Sequence, residues 1–245
     1  MIQLLVFIIG IFIGSFLNVC IFRIPEGKSI VNPPSACGSC GHRLNYIDMI
    51  PVFNYFIFRG RCRYCKAKFS IQYPLIELAN GILYVLIFTV HGATVQSIFF
   101  SILGSLLIVI SIIDLKYLII PDSLQIFGIV IAIAYIIAAK ENILYSAAGS
   151  IIGLFVFLLI AILTNAMGGG DIKLMAVLGL FFQIKGIAFV GLVSFVLGAI
   201  VSVFLLALKI KSRKDMVPFG PFISLAALLY ILCGQQIIDF YLSLF

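Results

Sequence analysis

The chain has 245 residues, of which 63% are hydrophobic and only 10% are charged, and its formal net charge is +7. Soluble domains are typically about half apolar and a quarter charged, so this composition excludes an ordinary soluble globular domain. Many of the apolar residues form runs long enough to cross a bilayer, which takes about 20 helical residues. We therefore expect an all-α polytopic membrane protein with about eight transmembrane helices.

The predicted spans follow one another along most of the chain. Their approximate bounds are residues 3–22, 74–90, 94–113, 122–139, 143–163, 170–184, 186–208 and 218–238. The sixth span is short, because the apolar residues between Lys173 and Lys185 reach only about 17 Å across a hydrocarbon core of about 30 Å. Either these lysines extend toward the headgroups, or the glycine-rich segment before Asp171 lies within the membrane edge.

The first apolar run is expected to be retained as a membrane anchor. A secretory signal peptide starts with basic residues, whereas the first basic residues here, Arg23 and Lys28, follow the run. The same order of charges predicts an N-terminus outside the cytoplasm. Removal of the run as a signal peptide is the alternative.

Basic residues are concentrated in the segments that alternating spans assign to the cytoplasmic side, and only Lys140 and Lys185 fall outside them. The cytoplasmic set is Arg23, Lys28, Arg43, Arg59, Arg61, Arg63, Lys66, Lys68, Lys116, Lys173, Lys209, Lys211, Arg213 and Lys214. This distribution places both Asp114 and Asp171 at the cytoplasmic face. Topology and attraction to a lipid bilayer with anionic headgroups explain the net charge, so no nucleic-acid partner is expected.

Two C-x-x-C pairs lie between the first and second spans. Cys37-Gly-Ser-Cys40 and Cys62-Arg-Tyr-Cys65 have a separation close to that of zinc ribbons. Four thiolates complete a tetrahedral shell, which predicts a structural Zn²⁺ with no open position for a water nucleophile. A segment of this size also needs a metal to help hold its fold. The alternative is a redox-active thiol pair, which usually occurs as a single C-x-x-C.

Two aspartates lie beside the most apolar stretches. Asp114 follows the run SLLIVISII, and Asp171 follows the triplet Gly168-Gly169-Gly170. An ionised carboxylate near hydrocarbon is costly, and a membrane protein that keeps one there usually uses it. Two that meet can hydrolyse a peptide bond, because one deprotonates a water while the other, protonated, polarises the scissile carbonyl. The glycines would let a substrate backbone approach closely.

Other interpretations of the two aspartates stay open on the residues alone. Each can instead be a solvated helix cap or the partner of a nearby lysine, Lys116 or Lys173. Intramembrane carboxylates also serve proton-coupled transporters. Perturbed carboxylates occur in structural networks as well as in active sites.

Several segments together resemble the type IV prepilin peptidases, bacterial intramembrane aspartic proteases with a G-x-G-D motif. Besides the two cysteine pairs they are GSFLNVCIFRIP at 14–25, RGRCRYCKAKFSIQYPLIEL at 59–78, IDLKYLIIPD at 113–122 and GGGDIKLMAVLGLF at 168–181. The resemblance covers nearly the whole chain. The G-x-G-D element also resembles presenilin-like proteases, but those lack the cysteine segment.

This resemblance implies an aspartic endopeptidase of the bacterial inner membrane with Asp114 and Asp171 as its catalytic pair. Its substrates would be prepilins or pseudopilins, whose basic leader it removes on the cytoplasmic side. Full-length members commonly also methylate the new N-terminal residue with S-adenosylmethionine, and the retained cysteine segment implies this second activity here. The methyl-donor site is unknown; Glu77 and Asn18 are candidates, with a structural hydrogen bond as the alternative.

These expectations divide the chain into three parts. Residues 1–22 form the first transmembrane helix, residues 23–73 form a cytoplasmic zinc-binding module similar to a zinc ribbon, and residues 74–245 form a transmembrane protease core. The alternative function is that of a proton-coupled membrane transporter or scaffold with a cytoplasmic zinc module.

Overall fold

The computed structural model describes residues 2–164, 167–210, 212 and 216–243, and this part of the chain is all-helical, as the sequence predicts. The α-helices are α1 (Ile2–Arg23), α2 (Phe53–Ile57), α3 (Gln72–His91), α4 (Val95–Tyr117), α5 (Asp122–Ala139), α6 (Ile143–Thr164), α7 (Gly169–Ala207), α8 (Gly220–Leu229) and α9 (Gln235–Leu242). A 3₁₀ turn occupies Tyr46–Met49, and a π-helical turn, Tyr230–Gly234, joins α8 to α9. Three of the basic residues assigned to the cytoplasmic face, Lys211, Arg213 and Lys214, lie outside the described residues.

Seven helices of the described chain are long and apolar enough to cross a membrane, counting α8 to α9 as one. The protein is therefore a multi-pass membrane protein. The predicted sixth and seventh spans both fall within α7, which has 39 residues. The backbone of α7 breaks at Gln183, where φ is 56° and ψ is −164°.

The chain reverses direction at this break. A Cβ built on Gly153 of α6 would lie 2.7 Å from the Met175 carbonyl oxygen and 3.1 Å from Ile187 Cγ1. On a straight helix Met175 and Ile187 would be about 18 Å apart. The two halves of α7 thus run antiparallel to each other. They correspond to the predicted sixth and seventh spans, which is why eight crossings are predicted for the seven long helices of the described chain. Gln183 donates a hydrogen bond from Nε2 to Glu141 Oε2 at 3.0 Å, which fixes the turn.

The chain divides into two compact units, Met1–Ser97 and Ile98–Phe245. In the first, α1 and α3 pack closely through glycines spaced four residues apart. A Cβ on Gly10 would lie 2.7 Å from Gly81 Cα, and one on Gly14 would lie 2.7 Å from Glu77 Cα. Such small-residue contacts are a common basis of helix association in membranes, because burial of apolar surface drives little there.

The second unit is built around α7, which packs against α5, α6 and α8. Aromatic side chains fill the space near the reversal of α7. Tyr135 stacks on Phe181 with ring centroids 5.6 Å apart, and Phe182 packs on Tyr230 at 4.8 Å. With Phe100 of α4, whose ring centroid lies 5.7 Å from that of Tyr135, this packing joins the start of α4 and the end of α5 to the reversal of α7.

Candidate functional site

Asp114 lies in the last turn of α4, which continues to Tyr117, beyond the predicted end of this span. The side chain is only 5% exposed. Its Oδ2 accepts a hydrogen bond of 2.9 Å from the backbone N–H of Gly220, the first residue of α8. The carboxylate is therefore held by the N-terminal end of a helix 106 residues away in sequence, where a negative charge is favoured.

Asp171 lies in the first turn of α7, and its side chain is 8% exposed. Its backbone N–H donates to the Gly168 carbonyl at 3.1 Å, which closes the first turn directly after the glycine triplet. The carboxyl groups of Asp114 and Asp171 are close enough for their charges to interact. The structure thus places the two predicted site residues within electrostatic range of each other, and both are buried.

Ile120 connects the elements that carry the two aspartates. A Cβ built on Gly170 would lie 2.9 Å from Ile120 Cβ, and one built on Gly220 would lie 3.3 Å from Ile120 Cδ1. A Cβ on Gly220 would also approach Asp114 Oδ2 to 2.8 Å, closer than a carbon atom can be accommodated there. Glycine at 170 and 220 is therefore needed for close packing around the pair.

Gln125 is a polar neighbour of the glycine triplet. It lies on α5, is 4% exposed, and donates from Nε2 to the Gly170 carbonyl at 3.0 Å. Its Oε1 is buried and accepts no hydrogen bond from the described residues. The backbone immediately before Asp171 is thereby anchored to α5.

Sequence reasoning missed both Gly220 and Gln125. The Gly220-Pro221 pair carries a usable signal, because proline is favoured in the first turn of a helix. No sequence pattern marks Gln125, whose role depends on which residue of α7 lies opposite it.

One alternative was that Asp171 is the partner of Lys173. The structure instead pairs Lys173 with Asp122. Its Nζ lies 2.6 Å from Oδ1 of Asp122, the first residue of α5, and both side chains are more than half exposed. An exposed pair of this kind contributes about 0–1 kcal/mol. Asp122 is thus the solvated, lysine-paired helix-end acid, and Asp171 is not.

The two cysteine pairs form two equivalent turns. Isolated antiparallel bridges join Ala36 to Arg43 and Arg61 to Lys68, one around each pair. The Cys37 N–H donates to the His42 carbonyl, and the Cys62 N–H donates to the Ala67 carbonyl. Four residues after the first cysteine of each pair, Gly41 and Lys66 adopt φ values of 68° and 62°.

These turns gather all four cysteines. Their Sγ atoms lie within 4.8 Å of one another, and Cys37 Sγ is 3.8 Å from Cys65 Sγ. Four Zn–S bonds of about 2.3 Å in a tetrahedron require sulfur atoms about 3.8 Å apart, so the donor set fits a zinc ion. His42 is outside this group and packs on Tyr64, with ring centroids 3.6 Å apart.

The surroundings of one of the four thiols, that of Cys37, favour its ionisation. The backbone N–H groups of Cys40 and Ser39 lower the pKa of Cys37 to about 6, because they donate to its sulfur. At Cys65 the Ala67 N–H acts in the same direction, but desolvation and the three neighbouring thiols raise its pKa to about 11. The Cys37 thiolate therefore forms readily and that of Cys65 does not, and a bound cation would favour the ionised form of both.

Glu77 and Asn18 make structural hydrogen bonds in the first unit. Glu77 Oε2 accepts the Val52 N–H at 2.7 Å and thereby ties the segment before α2 to α3. Asn18 Nδ2 donates to the carbonyls of Tyr73 at 3.2 Å and Gly14 at 3.4 Å. Both side chains thus make structural hydrogen bonds, which is the alternative to methyl-donor binding.

Two family models match the chain. The model described as bacterial peptidase A24 N-terminal domain matches residues 8–91, which include all four clustered cysteines. The model described as type IV leader peptidase family matches residues 101–203, which include Asp114 and Asp171. The segment containing Gly220 lies beyond both matches.

Three curated relatives with the name prepilin leader peptidase/N-methyltransferase match over at least 90% of their own length. The Pseudomonas putida protein is 30% identical over 94% of this chain and 90% of its own length. The Bacillus subtilis protein is 30% identical over 98% of both chains. The Pseudomonas aeruginosa protein is 31% identical over 96% of this chain and 92% of its own. No solved structure matches the chain.

Proposed function

The chain belongs to the type IV leader peptidase family, and we propose that Asp114 and Asp171 are its catalytic pair. It is a bifunctional enzyme that cleaves type IV prepilin leaders and N-methylates the product. The observation that carries the catalytic assignment is that two buried carboxyl groups, from α4 and α7, lie within electrostatic range of each other, and that Ile120 packs against both Gly170, beside Asp171, and Gly220, which binds Asp114. Family membership decides against the transporter or scaffold alternative.

The pair is proposed to act by general acid–base catalysis. Two like charges that interact favour a state in which the pair holds a single proton. The ionised carboxylate accepts a proton from water, whose oxygen attacks the scissile carbonyl carbon, while the protonated carboxyl donates to the carbonyl oxygen. The tetrahedral intermediate then collapses and the C–N bond breaks. The leaving amine takes the proton that the first carboxylate accepted from water, and a hydroxyl of the intermediate returns a proton to the second carboxyl group as the product carboxyl group forms.

The glycine triplet is proposed to receive the substrate backbone. A Cβ built on Gly169 would have no heavy atom within 4 Å, so the surface beside Asp171 is open. A prepilin segment at this position would reach the pair at the ends of α4 and α7. The substrates are proposed to be prepilins or pseudopilins with basic leaders, cleaved on the cytoplasmic side of the bacterial inner membrane, with the N-terminus of the enzyme outside.

Substitution of either aspartate tests the pair. Asp114→Asn and Asp171→Asn are each expected to lower the rate of prepilin cleavage by purified enzyme about 1,000-fold or more, since each loses an acid–base group. Asp122→Asn is the matched control, because this nearby aspartate is exposed and paired with Lys173. Cleavage at the normal rate by either of the first two variants would disprove the assignment.

The second activity is proposed to use S-adenosylmethionine and to be independent of the aspartates. Transfer of a labelled methyl group to a pre-cleaved pilin peptide measures it directly. We expect Asp114→Asn and Asp171→Asn to retain this transfer while losing cleavage. Loss of both activities would indicate misfolding or a shared site.

The cysteine cluster is proposed to bind a structural Zn²⁺ through Cys37, Cys40, Cys62 and Cys65. Bound zinc would hold the two turns together by charge and coordination. The residues supply four sulfur ligands and no fifth group among the described residues, so the metal has no proposed part in cleavage.

A further inference from the structure

The short helix α2 presents apolar side chains outward. Phe53, Phe56 and Ile57 are 61%, 66% and 67% exposed, and α2 has no buried residue. Residues three and four apart share one side of a helix, so these three form a single surface, the α2 face. Asn54 is turned the other way and donates a hydrogen bond to the Asp48 carbonyl. A surface helix of a soluble protein normally turns its apolar side chains toward the core and its polar side chains toward water.

A basic pocket adjoins the α2 face. Ile57 lines this open pocket of about 420 Å³ together with four cationic side chains, Arg59, Arg61, Arg63 and Lys66. All four are exposed, and within the described part of the chain none of them forms a salt bridge. The guanidinium carbon of Arg63 lies 5.9 Å from the centroid of the Phe58 ring, which keeps this cation beside the apolar residues.

The segment that carries both features is attached to the membrane at its two ends. It follows α1 and precedes α3, and both helices are long and apolar enough to cross a bilayer. Anionic headgroups are therefore the negatively charged surface that this segment meets at the highest effective concentration. Apolar side chains beside cations are the combination by which interfacial helices bind anionic bilayers.

We propose that the α2 face and the basic pocket together dock onto the anionic headgroup layer of the protein's own membrane. The apolar side chains enter the boundary between headgroups and acyl chains, and the cations contact lipid phosphates. A basic prepilin leader would be repelled by the same cations, so the pocket does not serve as the leader site. Docking would fix the orientation of the cysteine turns at the bilayer surface.

A single tryptophan reports the depth of α2. The chain contains no tryptophan, so Phe56→Trp in the full-length protein gives one fluorophore on the α2 face. The variant is placed in nanodiscs with one chain each, made with phosphatidylglycerol and with phosphatidylcholine alone. In the anionic discs we expect a blue-shifted emission that is quenched by lipids brominated near the headgroup end of the acyl chain. Ile57→Trp repeats the measurement if Phe56→Trp does not fold.

Charge removal separates lipid docking from other causes of quenching. Arg61→Gln with Lys66→Gln is expected to reduce the docked-to-undocked ratio about 25-fold, or about fivefold for each cation removed near an anionic surface. Lys28→Gln with Arg43→Gln is the matched control, which removes the same charge outside the pocket and should retain most of the quenching. Quenching that is equal in both lipids, or unchanged by loss of Arg61 and Lys66, would overturn the proposal.

Three further outcomes would also overturn it. Emission that is quenched by acrylamide and not by brominated lipid would show that α2 faces water. A blue shift without quenching by brominated lipid would show that protein covers α2. A second copy is absent from discs that hold one chain, so a blue shift that appears only in discs with two chains would identify that copy as the occupant.

Discussion

The cysteine cluster is assembled by two short turns, whereas the aspartate pair is assembled by helices that are distant in sequence. Each cysteine turn closes within eight residues, from Ala36 to Arg43 and from Arg61 to Lys68. Around the pair, α4, α5, α7 and α8 contribute Asp114, Gln125, Asp171 and Gly220. With the proposed zinc bound, the first site depends on a metal to join two local structures, whereas the second depends on packing of the whole bundle.

Metal removal is expected to have the largest effect, and it tests the first half of this comparison. Structural zinc contributes about 10 kcal/mol or more of apparent folding free energy in small domains. Cys62→Ser should therefore lose the metal and open the turns, so that trypsin cleaves after Arg59, Arg61 and Arg63. Metal content and the rate of tryptic cleavage are the measurements.

Cys233→Ser is the control, because Cys233 is a cysteine outside the cluster. It should keep both the metal and the resistance to trypsin. If the enzyme depleted of metal by a chelator stayed resistant, the turns would be stable by themselves. The contrast between the two sites would then fail.

Gly220→Ala tests the second half, with a smaller expected effect. The added Cβ would lie 2.8 Å from Asp114 Oδ2, so the carboxylate or the start of α8 must move. Displacement of a catalytic group by about 1 Å can lower the rate about 100-fold, and we expect a loss of that order in prepilin cleavage. Methyl transfer to a pre-cleaved peptide should be unchanged, which reports that the chain is folded.

Gly191→Ala is the matched control on α7. A Cβ there would lie 3.4 Å from its nearest neighbour, Phe157 Cε2, which is an ordinary contact, so a near-normal cleavage rate is expected. If Gly191→Ala were as damaging as Gly220→Ala, the loss would come from added bulk in the bundle, and packing around Asp114 would matter less than we infer.

The same contrast explains what could be predicted from the sequence. The spacing of the cysteines specifies their cluster, because each turn depends only on neighbouring residues. Hydrophobic runs predict the spans, and α5 begins and ends where its run does, at 122 and 139. Two buried aspartates can be recognised individually from the cost of placing charge near lipid.

What holds the aspartates together could not be predicted in this way. The hydrogen bond from Gly220 to Asp114 and that from Gln125 to Gly170 depend on which faces of α8 and α5 turn inward. The reversal of α7 occurs at Gln183, which is neither glycine nor proline. Its positive φ is maintained by tertiary contacts such as the hydrogen bond to Glu141, and local sequence does not reveal these.

Gln125→Met is expected to have the smallest of these effects, and it sharpens the account of the aspartate site. Methionine has a similar length but cannot donate to the Gly170 carbonyl, so a buried acceptor loses its partner at a cost of about 1–3 kcal/mol. If that hydrogen bond orients Asp171, kcat should fall about tenfold with little change in KM. Gln235→Met on exposed α9 is the control. A loss of thermal stability at unchanged kcat would mean that Gln125 supports the bundle and not the position of Asp171, and α5 would then have no part in positioning the proposed catalytic pair.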